Sequence, residues 1–315
     1  MIDDNGFAEV FAGLRGPEKR IPTKYHYDER GSRLFEAITE LDEYYLTRTE
    51  RALLELSMPG LIGELRPATL VELGAGSAEK SRIILDAMEA AGCGRAYVPV
   101  DVSADFLEKT AARLREEYPE LEVQPHIGDI TEPLDLPGAL PHPRWIAFLG
   151  STLGNFDEGQ AEELLCRIAS RLDEGDRFLL GVDLRPGPKK TVGRVEAAYN
   201  DARGVTARFS LNILSVLNRR FGSDFDLDGF EHRSTYDAEG GRIETSLVAR
   251  RDQCVRFPGE AGIAIAEGEA IRTEISSKYD RPTIEGLYRP AGLVVDRWIE
   301  DDDGLYALVL SGPAG

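Results

Sequence analysis

From residue 69 to residue 184 the chain alternates short apolar runs with longer amphipathic ones, and this alternation most constrains its fold. "TLVEL" reads as a strand, and "EKSRIILDAMEAAG" as a helix ended by Gly92. "AYVPVDV" is a strand, followed by the helix "SADFLEKTAARLREEYP" with Ser103 as its N-cap. "VQPHIGDI" reads as a third strand, and "RWIAFLGSTLGNF" as a fourth running into a loop. The helix "AEELLCRIASRL" and the strand "RFLLGVDL" complete the series. A β-α-β-α series of this kind predicts a doubly wound parallel sheet, an α/β fold.

The pattern breaks after "RPGPKK". Residues 191–221 read as helical, and "HRSTYD" with "RIETSLVARRD" as an antiparallel pair around "AEGG". "EAIRTEISSKY" alternates as a third strand. At the end, "LVVDRWIE", the turn "DDDG" and "LYALVL" read as a β-hairpin. An insertion therefore interrupts a sheet that is completed at the C-terminus. The expected division is 49–186 with 279–315 as the nucleotide-binding domain. Residues 1–48 with 187–278 form a second α+β domain that recognises substrate. "SRLFEAITEL" and "TRTERALLELSM" supply helices near the N-terminus.

Charge narrows the partners. With 56 acids against 37 bases the net charge is −19. Nucleic acid and anionic membranes, which need basic surfaces, are not expected partners. No apolar run reaches the roughly 20 residues that span a bilayer. The N-terminus "MIDDNGFAEV" lacks a basic and then apolar leader, so a cytoplasmic location is expected. Cys93, Cys166 and Cys254 are isolated, and His26, His126, His142 and His232 show no ligand spacing. Neither a disulfide framework nor a metal is expected.

The stretch "TLVELGAGSAEKS" decides the ligand. A dinucleotide fingerprint would place a third glycine where Glu79 stands, and a carboxylate there would repel a pyrophosphate. A Walker loop is absent. The first strand instead ends in Glu72, the second in Asp101 and the third in Gly128-Asp129. An acid at the second strand end suits a ribose diol, and Asp129 suits an adenine edge. A nucleoside without phosphate, held by acids and glycine turns, is S-adenosylmethionine. The C-terminal hairpin agrees, making the expected fold a Rossmann-like class I methyltransferase.

Four long motifs then carry a family resemblance: "YHYDERGSRLFEAITELDEYYLTRTE", "FLGSTLGNF", "YNDARGVTARFSLNILSVLNRRFGSDFD" and "IRTEISSKYD". In order and spacing they resemble the histidine-specific Nα-methyltransferases of ergothioneine biosynthesis, from about residue 20 to the terminal hairpin. The resemblance implies S-adenosylmethionine-dependent methylation of the histidine α-amine, successively to hercynine. It implies that Asn155 and Tyr199 hold the substrate carboxylate and that Tyr27 and Tyr44 face the amine and imidazole. Tyr45 reads better as a packing aromatic. Glu274 and Ser276 match the family's imidazole pair. Two apart on a strand, they share a face and can serve both ring nitrogens. Thr245 stands where the family usually has methionine, which implies a wider or differently hydrated side-chain pocket. For the cofactor, resemblance and position point to Gly74, Gly76, Lys80, Asp101, Asp129 and Thr152, with Glu72 at the strand end. A monomer is the expected state. Two other readings stay open: the same reaction on another amino acid such as tryptophan, and a non-catalytic protein that binds S-adenosylmethionine or an amino acid.

Overall fold

The computed structural model describes residues 4–132 and 136–314. The chain divides into two compact units, Met1–Tyr45 with Lys190–Ser277 and Leu46–Lys189 with Lys278–Gly315. It opens with α1 (Asp4–Arg15), β1 (Lys19–Arg20), α2 (Glu29–Thr39) and α3 (Tyr45–Leu65). Next come β2 (Thr69–Leu73), α4 (Glu79–Ala90), β3 (Ala96–Asp101), α5 (Ala104–Glu117), β4 (Glu122–Val123) and β5 (His126–Ile127). β6 (Arg144–Phe148), α6 (Glu158–Ala169) and β7 (Arg177–Asp183) follow. α7 (Val192–Tyr199), α8 (Val205–Phe221), β8 (Phe230–Asp237), β9 (Arg242–Ala249), β10 (Gln253–Val255), β11 (Ile263–Ile265) and β12 (Ala270–Ser277) make up most of the other unit. α9 (Arg281–Ala291), β13 (Leu293–Glu300) and β14 (Tyr306–Pro313) end the chain.

In the larger unit the sheet order is β13-β14-β7-β6-β2-β3-β4, with β5 also beside β3. The strands from β7 to β4 are parallel, and β14 is antiparallel to both β7 and β13. The expected doubly wound sheet with a terminal antiparallel hairpin is present. β2, β3 and β4 run outward to one side, and the chain then returns to place β6 on the other side of β2. The switch point therefore lies between β2 and β6, where open α/β sheets take ligands at the strand C-terminal ends. Val98, Ile146, Phe148, Phe178 and Leu180 share one core with Leu164, Ile168, Ile284 and Leu287 from α6 and α9. Strand residues of the opposite parity, Leu70, Tyr97, Trp145 and Leu179, are also fully buried. Coverage of both faces is why these strands read as unbroken apolar runs. Among the described residues no helix is long and apolar enough to cross a membrane.

The smaller unit is built on a sheet of order β1-β12-β9-β8. Leu247, Ile271 and Phe230 pack with Ile213, Leu214, Leu217 and Phe221 of α8 and with Val10 and Leu14 of α1.

Three local readings of the sequence need correction. Residues 191–221 are two helices, because the Asp201 carboxylate accepts the Val205 and Thr206 amides at 2.9 and 2.8 Å and starts α8 afresh. "VQPHIGDI" is two short strands, since Pro125 has no N–H to offer between them. Ser103 occupies the N-cap of α5, but its side chain makes no capping bond; its amide donates to Asp101 Oδ1 at 3.0 Å.

Candidate active site

The turn after β2 is built on left-handed backbone. Gly74 has φ +70° and Gly76 φ +52°, and a Cβ on either would meet nothing within 4 Å. The glycines are therefore required by conformation, and open space lies over them. Gly74 and Ala75 donate to the carbonyl of Val100 at 2.8 and 3.1 Å, which ties the turn to the end of β3. There Asp101 accepts the Gly76 amide through Oδ2 at 3.1 Å. Beside it Val102 is 62% exposed, and Ile127, opposite Asp101 in the register, is 57% exposed. Two apolar side chains left in solvent next to an acid form a surface that suits a flat aromatic ring. Asp129 turns Oδ1 toward the amide and hydroxyl of Thr131, at 2.8 and 2.6 Å.

Glu72 lies beneath the turn. It is buried and accepts from the Ser81 hydroxyl and from the Tyr97 hydroxyl, the latter at 2.5 Å. Burial raises its carboxyl to about 7 against the ordinary 4.5, opposed by the two hydroxyls and by Lys80. A raised folded value means that the neutral acid is the form the fold favours. Its stabilising contribution is complete below about 4.5 and is lost as pH rises through about 7. Glu72→Gln should therefore flatten the stability profile. Relative to the variant, the wild type should lose up to about 3 kcal/mol between roughly pH 5 and pH 8. Denaturant titrations across that range measure it, and parallel profiles would show that Glu72 does not titrate there.

After β6 the chain enters a tight loop. Gly150 and Ser151 are left-handed, at φ 78° and 57°. Thr152 opens a short 3-10 turn that ends at Asn155, and its hydroxyl donates to the Leu149 carbonyl at 2.8 Å. Both side chains are partly exposed. Lys80, at the start of α4, points its Nζ to Glu50 at 2.5 Å.

In the smaller unit the register aligns Ser234, Thr245 and Glu274 across β8, β9 and β12, with Ser276 opposite Ile243 two places on. A bulge between Arg272 and Glu274 keeps Glu274 and Ser276 on the Thr245 side of the sheet. Thr245 is fully buried, and its hydroxyl lies 2.7 Å from that of Ser234. The Tyr199 hydroxyl lies 2.8 Å from Ser276 Oγ. His232, which burial holds below the usual histidine value, places Nε2 2.8 Å from the Tyr199 carbonyl oxygen and 3.3 Å from Ser234 Oγ. A neutral ring protonated at Nε2 donates to that carbonyl.

Aromatic rings gather beside this face. Tyr44 meets Tyr199 and Phe35 at centroid distances of 6.2 and 6.4 Å. Tyr27 meets Phe35 and Phe209 at 5.8 and 5.5 Å. Tyr27 is 42% exposed. Its phenol is nonetheless held above the usual value, first by the protein packed around it and then by the neighbouring Glu274 and Tyr199. Tyr45 is instead a packing ring, buried, with Lys190 Nζ and the Arg194 guanidinium 5.0 and 5.4 Å from its centre.

Sequence reasoning missed Glu50, Phe35, Phe209, His232 and Ser234. Phe35, Glu50 and Phe209 fall inside the long motifs and His232 and Ser234 inside the strand "HRSTYD", yet a lone residue within such a stretch carries no sign of its spatial partners. It also missed that His142, Asp173 and Asp176 converge, with ligand-type atoms within 4.8 Å of one another. Arg144 already supplies a cation there, 2.9 Å from Asp173 and 2.7 Å from Asp176.

The glycine turn at a switch point, the acid ending β3 and the antiparallel hairpin closing a parallel sheet define a class I S-adenosylmethionine-dependent methyltransferase. A methyltransferase of that dependence from Clostridium acetobutylicum shares the fold, with a TM-score of 0.52 at 12% identity over 89% of this chain and 98% of that one. The chain belongs to the family described as histidine-specific methyltransferase, SAM-dependent, whose model matches residues 7–313. A histidine N-alpha-methyltransferase of Mycolicibacterium smegmatis is 41% identical over 306 residues, 96% of this chain and 93% of that protein. Ergothioneine biosynthesis protein 1 of Neurospora crassa is 33% identical over 311 residues, covering 96% of this chain but 34% of the longer protein.

Proposed function

We propose that this enzyme methylates the α-amine of L-histidine with S-adenosylmethionine, successively to the trimethylated betaine hercynine, in the ergothioneine pathway. The observation that carries the choice of histidine is the placement of Glu274 and Ser276 on one face of β12, beside Thr245. A carboxylate accepts from one imidazole N–H while a hydroxyl serves the other nitrogen.

Bound S-adenosylmethionine supplies an electrophilic methyl group on a sulfonium sulfur. Asp101 takes the ribose hydroxyls, Asp129 the adenine edge, and Val102 and Ile127 the adenine faces. Gly74 and Gly76 let the backbone come close, Glu72 braces that turn from below through Ser81, and Lys80 and Thr152 serve the methionyl end. Asn155 and Tyr199 hold the substrate carboxylate. Tyr27 and Tyr44 face the amine and the imidazole, with Phe35 and Phe209 behind them. An α-amine is largely protonated near pH 7, so a proton must leave before each attack. Aromatic faces and hydroxyls accommodate an ammonium that grows with each round without binding it rigidly. Alignment and desolvation supply the acceleration, and neither a metal nor a covalent enzyme intermediate is required. The acidic surface supports a free small-molecule substrate, with no nucleic-acid or membrane partner, and we read the protein as a cytoplasmic monomer.

Thr245 favours the second reading, a larger aromatic substrate such as tryptophan, because threonine is smaller than the family's methionine. The test is purified protein with S-adenosylmethionine and L-histidine, followed by mass. Mono-, di- and trimethylated histidine is expected. Tight cofactor binding without turnover would instead mark a binding protein.

A further inference from the structure

Glu50 has no exposed surface and sits on α3, yet its carboxylate collects donors from three other parts of the same unit. Lys80 Nζ lies 2.5 Å from Oε2, and the Tyr306 hydroxyl 2.7 Å from Oε1. The Gly150 amide lies 2.8 and 3.0 Å from the two oxygens. Lys80 opens α4 directly after the glycine turn. Gly150 begins the loop that carries Thr152 and Asn155. The carboxylate also needs an empty place in β7: a Cβ on Gly181 would run into Glu50 Oε1 and approach the Tyr306 hydroxyl to 2.8 Å.

A buried ion pair is a costly way to fill a core, since an apolar residue of like volume does as well or better. The strand residues around it are mostly apolar and buried, so packing alone does not call for a second buried carboxylate beside Glu72. Glu50 does one thing that an apolar residue cannot. It fixes at once the direction of a lysine ammonium and of a backbone amide at the two strand ends flanking the switch point. Lys80 has three N–H donors, and its side chain, unlike that of Glu50, keeps 24% of its surface exposed. One donor goes to Glu50, and the exposed part of the side chain leaves the ammonium within reach of a ligand.

We infer that Glu50 is a positioning residue for the methionyl end of the cofactor, acting through Lys80 and the Gly150 loop. This rests on the cofactor reading above. The amino-acid end of S-adenosylmethionine carries an α-carboxylate, the group that a directed ammonium recognises, while the Gly150 amide, committed to Glu50, holds the loop after β6 in place. The adenosine end is served by the other strand ends, so Glu50 should govern affinity for one half of the cofactor only.

The test compares two ligands by calorimetry on the full-length protein. S-adenosylhomocysteine has the methionyl-type end, and methylthioadenosine has the same nucleoside thioether without it. Glu50→Gln should weaken S-adenosylhomocysteine by about tenfold or more and leave methylthioadenosine unchanged. In a Lys80→Met background, Glu50→Gln should weaken S-adenosylhomocysteine by less than it does in the wild type, because the part of its effect that passes through Lys80 is already gone. Tyr306→Phe removes one donor to Glu50 while keeping the ring. It should give a smaller loss with the same ligand selectivity, and it keeps the inference testable if Glu50→Gln does not fold. Equal losses for both ligands, no loss for either, or additive losses would overturn the role of Glu50. Wild-type protein that binds neither ligand would overturn the cofactor reading itself.

Discussion

Glu274→Ala should lower kcat/KM for histidine by about a hundredfold and should cost tryptophan far less. Glu274 stands on β12 directly opposite Thr245, whose hydroxyl is committed to Ser234, and one alternation from Ser276, whose hydroxyl meets Tyr199. Among these polar groups only Glu274 brings a carboxylate to accept an imidazole N–H. Losing a charged hydrogen bond removes about 1.5–3 kcal/mol. The effect on selectivity should be as informative as the effect on rate. A site built around a polar ring rejects an apolar one because its own buried groups are left unpaired. Removing the carboxylate removes that penalty and opens volume beside Thr245. The ratio of kcat/KM for histidine over tryptophan should therefore fall at least tenfold, on the order of 1.4 kcal/mol. A ratio that survives the substitution would show that imidazole recognition lies elsewhere.

Asp101→Ala should weaken S-adenosylhomocysteine by about ten- to a hundredfold, the equivalent of about 1.5–3 kcal/mol. Two losses combine. The variant cannot accept from the ribose hydroxyls, and it releases the amides of Gly76 and Ser103, which the carboxylate now holds at 3.1 and 3.0 Å. Asp101→Asn separates them, since one amide oxygen can still accept a backbone N–H while the charge is gone. Calorimetry should rank wild type above Asn and Asn above Ala. Unchanged affinity in both variants would remove Asp101 from the site.

The doubly wound sheet was legible because its strands are buried on both faces and announce themselves as apolar runs. The glycine turn was legible because Gly74 and Gly76 take backbone angles that few other residues tolerate. What sequence could not supply was the partner of each polar side chain. Glu50 closes on Gly150 and Tyr306, 100 and 256 residues away. No local period or spacing encodes a contact of that range. The break at Asp201 was missed for a related reason: helical periodicity persists on both sides of it, and only the carboxylate's bonds to Val205 and Thr206 reveal a new start. The Thr245–Ser234 hydrogen bond likewise depends on a cross-strand register that the hairpin alone sets.

The central claim is tested most directly by competition. Purified protein is given limiting S-adenosylmethionine and an equimolar mixture of the standard amino acids, and every product is read by mass. Histidine should be the dominant product, passing through one and two added methyl groups to three. Methylated tryptophan in place of histidine, or no methylated amino acid at all, would contradict the account.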